Sequence, residues 1–272
     1  MTAPRIVPAR IAYAEIGDIA LRYALRQSGR PRIVLVHEMG GSMENWDEAA
    51  DLLSGCFDIL TYDTRGAGLS EKIRGDVTID DMVDDLAGLL DHVGWTDPVG
   101  IAGTAIGAAT AIRLAVRSPE RVAALAALSP ALGVDPDKRA KPFESARRIE
   151  EMGVRAATNP SWDRVWPPHL RDDQGRAEAV RCRKNGNDPE SFAALFRMVA
   201  GMQVEDDLPR LACPCLFLAG QHDTTRPPEL VERYAAKVPG ADMVVVESAH
   251  VMQAISPGLV AAHLETFFCR AG

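Results

Sequence analysis

The residues best able to do chemistry in this 272-residue chain sit just after short apolar runs. The first group, His37-Glu38-Met39-Gly40-Gly41-Ser42, follows the run RIVLV. A glycine pair there lets the backbone turn sharply and aim N–H groups inward, which is how half of an oxyanion hole is built. The glycines are equally what any tight loop needs. A second group, Asp63-Thr64-Arg65-Gly66-Ala67-Gly68-Leu69-Ser70, also follows an apolar run. No Lys-Ser/Thr comes after it, which argues against a phosphate-binding loop, and Asp63 and Arg65 read as hydrogen-bonding groups of the loop. The third group, Gly103-Thr104-Ala105-Ile106-Gly107, has the spacing of a nucleophile elbow between a strand and a helix. Its middle residue is normally serine, cysteine or aspartate, whereas alanine has no atom to attack with. Further on, Asp223 closes Gly220-Gln221-His222-Asp223 and is placed to orient a histidine. His250 closes Glu247-Ser248-Ala249-His250 in a loop rather than on an apolar helix face, which favours a functional role over core packing.

The order elbow, acid, histidine and the five motifs HEMGGS, DTRGAGLS, GTAIG, AGQHD and SAH resemble the α/β-hydrolase superfamily. Within it, the chain is most similar to the lidded bacterial esterases and lactonases, such as the 3-oxoadipate enol-lactonases. The likeness runs through nearly all of the chain outside residues 133–207. It implies that the Met39 and Ile106 amides supply the oxyanion hole, and that Asp223 and His250 complete a triad with position 105. Two departures stand out. Glu38 occupies a position that is usually glycine, and Ala105 occupies the nucleophile position.

The alanine leaves three readings open. In the first, the site is built for a nucleophile–His250–Asp223 hydrolase of a small, carboxylate-bearing ester, lactone or amide, inactivated or altered by Ala105. In the second, the chain is a lyase or hydratase that needs no nucleophile. His250 is then the base on water or an acidic C–H, and Glu38 is an acid, a base or a carboxylate nucleophile. In the third, it is a ligand receptor without turnover. Glu38 is alternatively just exposed, or paired with Arg65. Among the basic residues of 133–207, Arg147, Arg148 and Arg155 are candidates to hold a substrate carboxylate, since arginine suits bidentate contact. Trp162, Trp166 and Phe143 are expected to form the core of that segment. The remaining histidines show no metal-ligand spacing, so neither metal nor cofactor is expected.

These loops need a scaffold. Strand-like runs at residues 10–15, 19–26, 32–37, 57–62, 99–102, 122–128, 215–219 and 243–246 alternate with helical stretches at 43–53, 79–93, 106–116, 228–238 and 259–268. Such alternation predicts an α/β fold: a mostly parallel sheet with helices on both faces and an inserted helical lid. Residues 1–132 and 208–272 form the core, and residues 133–207 form the lid. Open sheets of this kind bind ligands at the carboxyl ends of their strands, where all five motifs fall.

Composition narrows the function classes. The charge of −8 and the absence of a basic arm argue against nucleic-acid or anionic-membrane binding. The five cysteines are unevenly spaced and suggest no disulfide framework, and Cys213-Pro214-Cys215 reads as two buried strand residues. No run reaches the length of a membrane span, and Met1-Thr2-Ala3-Pro4-Arg5 is not followed by the apolar core of a signal peptide. The expectation is a cytoplasmic monomer or homodimer acting on a small molecule.

Overall fold

A computed structural model describes residues 6–271; the N-terminal pentapeptide and Gly272 lie outside the described residues. Eight strands form one sheet: β1 (Arg10–Ile16), β2 (Ile19–Arg26), β3 (Arg32–Val36), β4 (Asp58–Tyr62), β5 (Val99–Thr104), β6 (Val122–Leu128), β7 (Cys215–Gly220) and β8 (Asp242–Val246). Their order is β1-β2-β4-β3-β5-β6-β7-β8. Only β2 runs against the rest: it pairs antiparallel with β1 and β4, and all other pairs are parallel. The central strands β4, β5 and β7 are buried along their whole length, which is why they read as unbroken apolar runs.

The helices are α1 (Asp47–Leu53), α2 (Ile79–His92), α3 (Ile106–Arg117), α4 (Ala140–Thr158), α5 (Trp162–Val165), α6 (Gln174–Asn185), α7 (Pro189–Gly201), α8 (Pro228–Ala235), α9 (Met252–Ile255) and α10 (Pro257–Ala271). The start of α2 is fixed by a capping box, in which Thr78 and Asp81 each satisfy the other's backbone amide. Its apolar stripe, from Ile79 to Leu90, packs with Ile112 of α3 and Val231 of α8 in one core layer. Leu53 of α1 and Leu264 and Phe267 of α10 pack on the opposite face of the sheet. Both faces are thereby covered, as strands buried on both sides require.

Helices α4 to α7 lie between β6 and β7. The chain leaves and re-enters the core side by side, through the bridge Gly133↔Gln203 and the bond from Val204 N–H to Leu132 O (2.8 Å). Trp162 and Trp166 are buried in this insertion, but Phe143 is 51% exposed, contrary to the expectation that it is core. Cys213 also departs from expectation: it precedes β7 and is only half-buried, while Cys215 is buried in the strand. All five cysteines are free thiols. No helix among the described residues is long and apolar enough to cross a membrane.

Candidate active site

The turn at Ala105 joins β5 directly to α3 with φ 52° and ψ −111°. This is a strained conformation for a residue with a Cβ, and it costs on the order of 1–3 kcal/mol. Three backbone bonds hold it: Ala105 N–H to Leu128 O (3.0 Å), Ala131 N–H to Ala105 O (3.1 Å) and Ala109 N–H to Ala105 O (3.2 Å). The flanking glycines are required by close approach. A Cβ on Gly103 would stand 2.3 Å from the Gly107 carbonyl, and one on Gly107 would stand 2.5 Å from Val36 O. The strained elbow is therefore intact although its apex carries only a methyl group.

His250 follows β8, and its Nδ1 lies 2.9 Å from Asp223 Oδ2. Asp223 is buried, and its Oδ1 accepts from the amides of Thr225 (2.7 Å) and Arg226 (2.9 Å). Burial pushes its carboxyl pKa up, but the His250 charge, the bond to His250 and the Arg226 amide outweigh this and hold it below the usual carboxylate range. An ionised Asp223 only accepts, so Nδ1 of His250 carries the proton, and Nε2 keeps a lone pair when the ring is neutral.

His37 anchors the loop after β3. The Thr64 amide donates to its Nε2 (3.0 Å), so its Nδ1–H donates to Glu38 O (2.7 Å). The Gly41 amide donates to the same carbonyl (3.0 Å). The amides of Met39 and Ile106 make no hydrogen bond among the described residues, and both residues line one cavity of about 390 Å³. Ala105, Glu38 and His250 line it too. The other walls are mainly apolar, with Trp162, Val165 and Phe192 among them.

Glu38 is only 5% exposed and does not meet Arg65. That arginine pairs with Asp85 instead, at 2.6 Å through both Nε and Nη2. Glu38 is gripped by two side-chain amides: Asn45 Nδ2 donates to its Oε1 (2.6 Å) and Gln253 Nε2 to its Oε2 (2.7 Å). Behind them, Thr104 Oγ1 donates to Gln253 Oε1 (3.0 Å) and Arg183 Nε to Asn45 Oδ1 (2.9 Å). Sequence reasoning missed Asn45, Gln253 and Thr104. Thr104 lies next to the elbow apex, but nothing in the spacing links it to residues 45 and 253.

Arg147, Arg148 and Arg155 lie exposed on α4, and none lines the cavity. The basic residues that do are Lys138, Lys141, Arg164, Lys184 and Arg226, and Lys138 pairs with Asp135 (2.5 Å). Lys184 is half-buried on α6, with its ammonium 5.9 Å from the Trp162 ring centre. Burial lowers its pKa, partly offset by the nearby charge of Glu38.

The model of the family described as "Serine aminopeptidase, S33" matches residues 27–251. The chain belongs to this family of α/β-hydrolases. The 3-oxoadipate enol-lactonase 2 of Acinetobacter baylyi is 24% identical over 243 residues, or 88% of this chain and 90% of the relative. A thermophilic esterase of Thermogutta terrifontis, solved malate bound, matches with a TM-score of 0.90 and 27% identity, over 97% of this chain and 99% of the other. The enol-lactonase of Burkholderia xenovorans matches with a TM-score of 0.89 and 23% identity, over 95% and 100%. This hydrolase thus shares its fold with an esterase and a lactonase, and its own elbow carries alanine where the G-x-S-x-G pattern has serine.

Proposed function

We propose that this hydrolase cleaves a small, carboxylate-bearing ester, lactone or amide, and that water attacks the acyl carbon over the methyl of Ala105. The carrying observation is that the His250–Asp223 pair opens onto the same cavity as the unbonded Met39 and Ile106 amides. His250 Nε2 takes a proton from the water and returns it to the leaving group, while Asp223 fixes the ring and stabilises the imidazolium. The two amides receive the oxyanion, each worth about 3 kcal/mol of barrier. Helices α4 to α7 act as a lid that closes the cavity from above.

Cations on the cavity wall support the carboxylate. Lys184, Lys141, Arg164 and Arg226 have no ion-pair partner among the described residues. The related Thermogutta esterase was solved with malate, a dicarboxylate.

The test is hydrolysis of short p-nitrophenyl esters and enol-lactones, with and without a carboxylate tail, by the chain as it stands and by His250→Ala. We expect turnover that His250→Ala abolishes, and no acyl-enzyme by mass spectrometry. In Ala105→Ser we expect faster turnover with a trappable acyl adduct. Turnover that is indifferent to His250 would refute the reading.

A further inference from the structure

A serine nucleophile has its oxygen held by a covalent bond, whereas a water over Ala105 must be held by hydrogen bonds alone. His250 Nε2 accepts one of its hydrogens. A second acceptor would aim a lone pair at the acyl carbon. Glu38 is the one acidic residue lining the cavity among the described residues.

The carboxylate is held from two sides. Asn45 and Gln253 both point N–H groups at it. Gln253 turns its Nε2 toward Glu38 and its Oε1 toward the Thr104 hydroxyl. The Asn45 amide is fixed by Arg183, whose guanidinium only donates and so takes Oδ1 as its acceptor, leaving Nδ2 for Glu38. A carboxylate has about four lone-pair sites, and these bonds use one on each oxygen. No cation lies within ion-pair distance of Glu38 among the described residues, although Lys184 is close enough to feel its charge. A buried carboxylate without an ion pair is costly, and active sites are where such groups are concentrated. The loop is shaped around it: a Cβ on Gly41 would stand 2.5 Å from Glu38 Oε1.

We propose that Glu38 is a catalytic residue that holds and orients the attacking water together with His250, in the place of a covalently fixed nucleophile. This deepens the hydrolase reading above and rests on it. In the step, the water oxygen forms a bond to the acyl carbon and the carbonyl electron pair moves onto its oxygen at the Met39 and Ile106 amides. One water O–H bond breaks as its proton passes to His250 Nε2. The other hydrogen stays on the oxygen, bonded to Glu38. Collapse breaks the bond to the leaving group, which takes the proton back from His250.

The experiment measures kcat and KM on the best p-nitrophenyl ester or enol-lactone for the wild type, His250→Ala and Glu38→Ala, with and without sodium formate. Glu38→Ala leaves two amide donors converging on a space the size of a carboxylate, so formate should fit there. We expect kcat to fall about 100-fold, the scale of a lost acid–base or positioning group, with KM little changed. Added formate should restore at least about tenfold of this in a saturable way, and leave the wild type and His250→Ala unmoved. Should Glu38→Ala not fold, the paired exchange Glu38→Gln with Gln253→Glu keeps every donor opposite an acceptor and moves the charge one link away. We expect that protein to fold and to remain about 100-fold slow. A folded Glu38→Ala at wild-type kcat, a slow one deaf to formate, or a fully active exchange variant would each overturn the role of Glu38. In those cases loss of activity in His250→Ala would leave the hydrolase reading standing. A wild type without turnover would sink both.

Discussion

Replacing Gln253 by methionine keeps the length and flexibility of the side chain and deletes both of its polar contacts. Gln253 is fully buried on α9 and links the Thr104 hydroxyl to the Glu38 carboxylate. Losing a hydrogen bond to a charged acceptor costs about 1.5–3 kcal/mol. The orphaned Thr104 hydroxyl, itself fully buried, adds about 1–3 kcal/mol. Against this, the buried methionine gains about 1–2 kcal/mol of apolar transfer. The net expectation is a loss of about 2–4 kcal/mol. Urea unfolding should show it as a lower midpoint at unchanged m-value. Adding Thr104→Val to Gln253→Met removes the orphaned hydroxyl, so the double variant should lose less than the sum of the singles. A loss below about 1 kcal/mol, or strict additivity, would mean that the Thr104–Gln253–Glu38 chain does not hold the loop, and the argument for a gripped carboxylate would fail.

Asp223→Asn keeps an acceptor for the Thr225 and Arg226 amides but turns an N–H toward His250 Nδ1, favouring the wrong tautomer. Hydrolysis should fall by about 10³–10⁴-fold in kcat, and a fall under tenfold would refute the relay. Because the folded pKa of Asp223 is depressed, its contribution to stability is present above the ordinary aspartate range and is lost as pH falls through the folded value. Acid titration of stability should therefore be shallower below about pH 4 in Asp223→Asn than in the wild type. Lys184→Met should raise KM about tenfold or more for carboxylate-bearing esters and leave neutral esters unchanged, and an equal effect on both would reject it as the anion contact. As the Lys184 pKa is lowered, the wild-type preference for anionic substrates should fade on raising pH before the usual lysine range is reached, measured as the KM ratio against pH. Gly107→Ala puts a Cβ 2.5 Å from Val36 O and 2.7 Å from His37 O, both backbone atoms. It should destabilise the fold by about 3 kcal/mol or more in urea, and a loss under about 1 kcal/mol would show that the elbow can relax.

The scaffold was legible because its signals are local. Buried parallel strands must be apolar throughout, and the elbow needs Gly103 and Gly107 at fixed offsets, so a run such as RIVLV or the pattern GTAIG carries its own placement. The acid and histidine were legible for a related reason: parallel strands deliver the loops after β7 and β8 to the same edge of the sheet, so chain order alone puts Asp223 beside His250. What surrounds Glu38 was not legible. Its partners Asn45 and Gln253 stand seven and 215 positions away, and only the packing of α9 against the loop after β3 joins them. The cations of the insertion between β6 and β7 were equally hidden. Arg147, Arg148 and Lys184 look alike in sequence, and the rotation of α4 and α6 about their own axes leaves the first two in solvent and turns the third into the cavity. A helix shows one face to its neighbour, and which face that is depends on the surface it docks against. The sequence by itself therefore determined the sheet, the elbow and the alanine at its apex. Whether Glu38 is a solvated charge or a carboxylate held in the site was decided by tertiary contacts, because burial and hydrogen-bond partners exist only once distant segments meet.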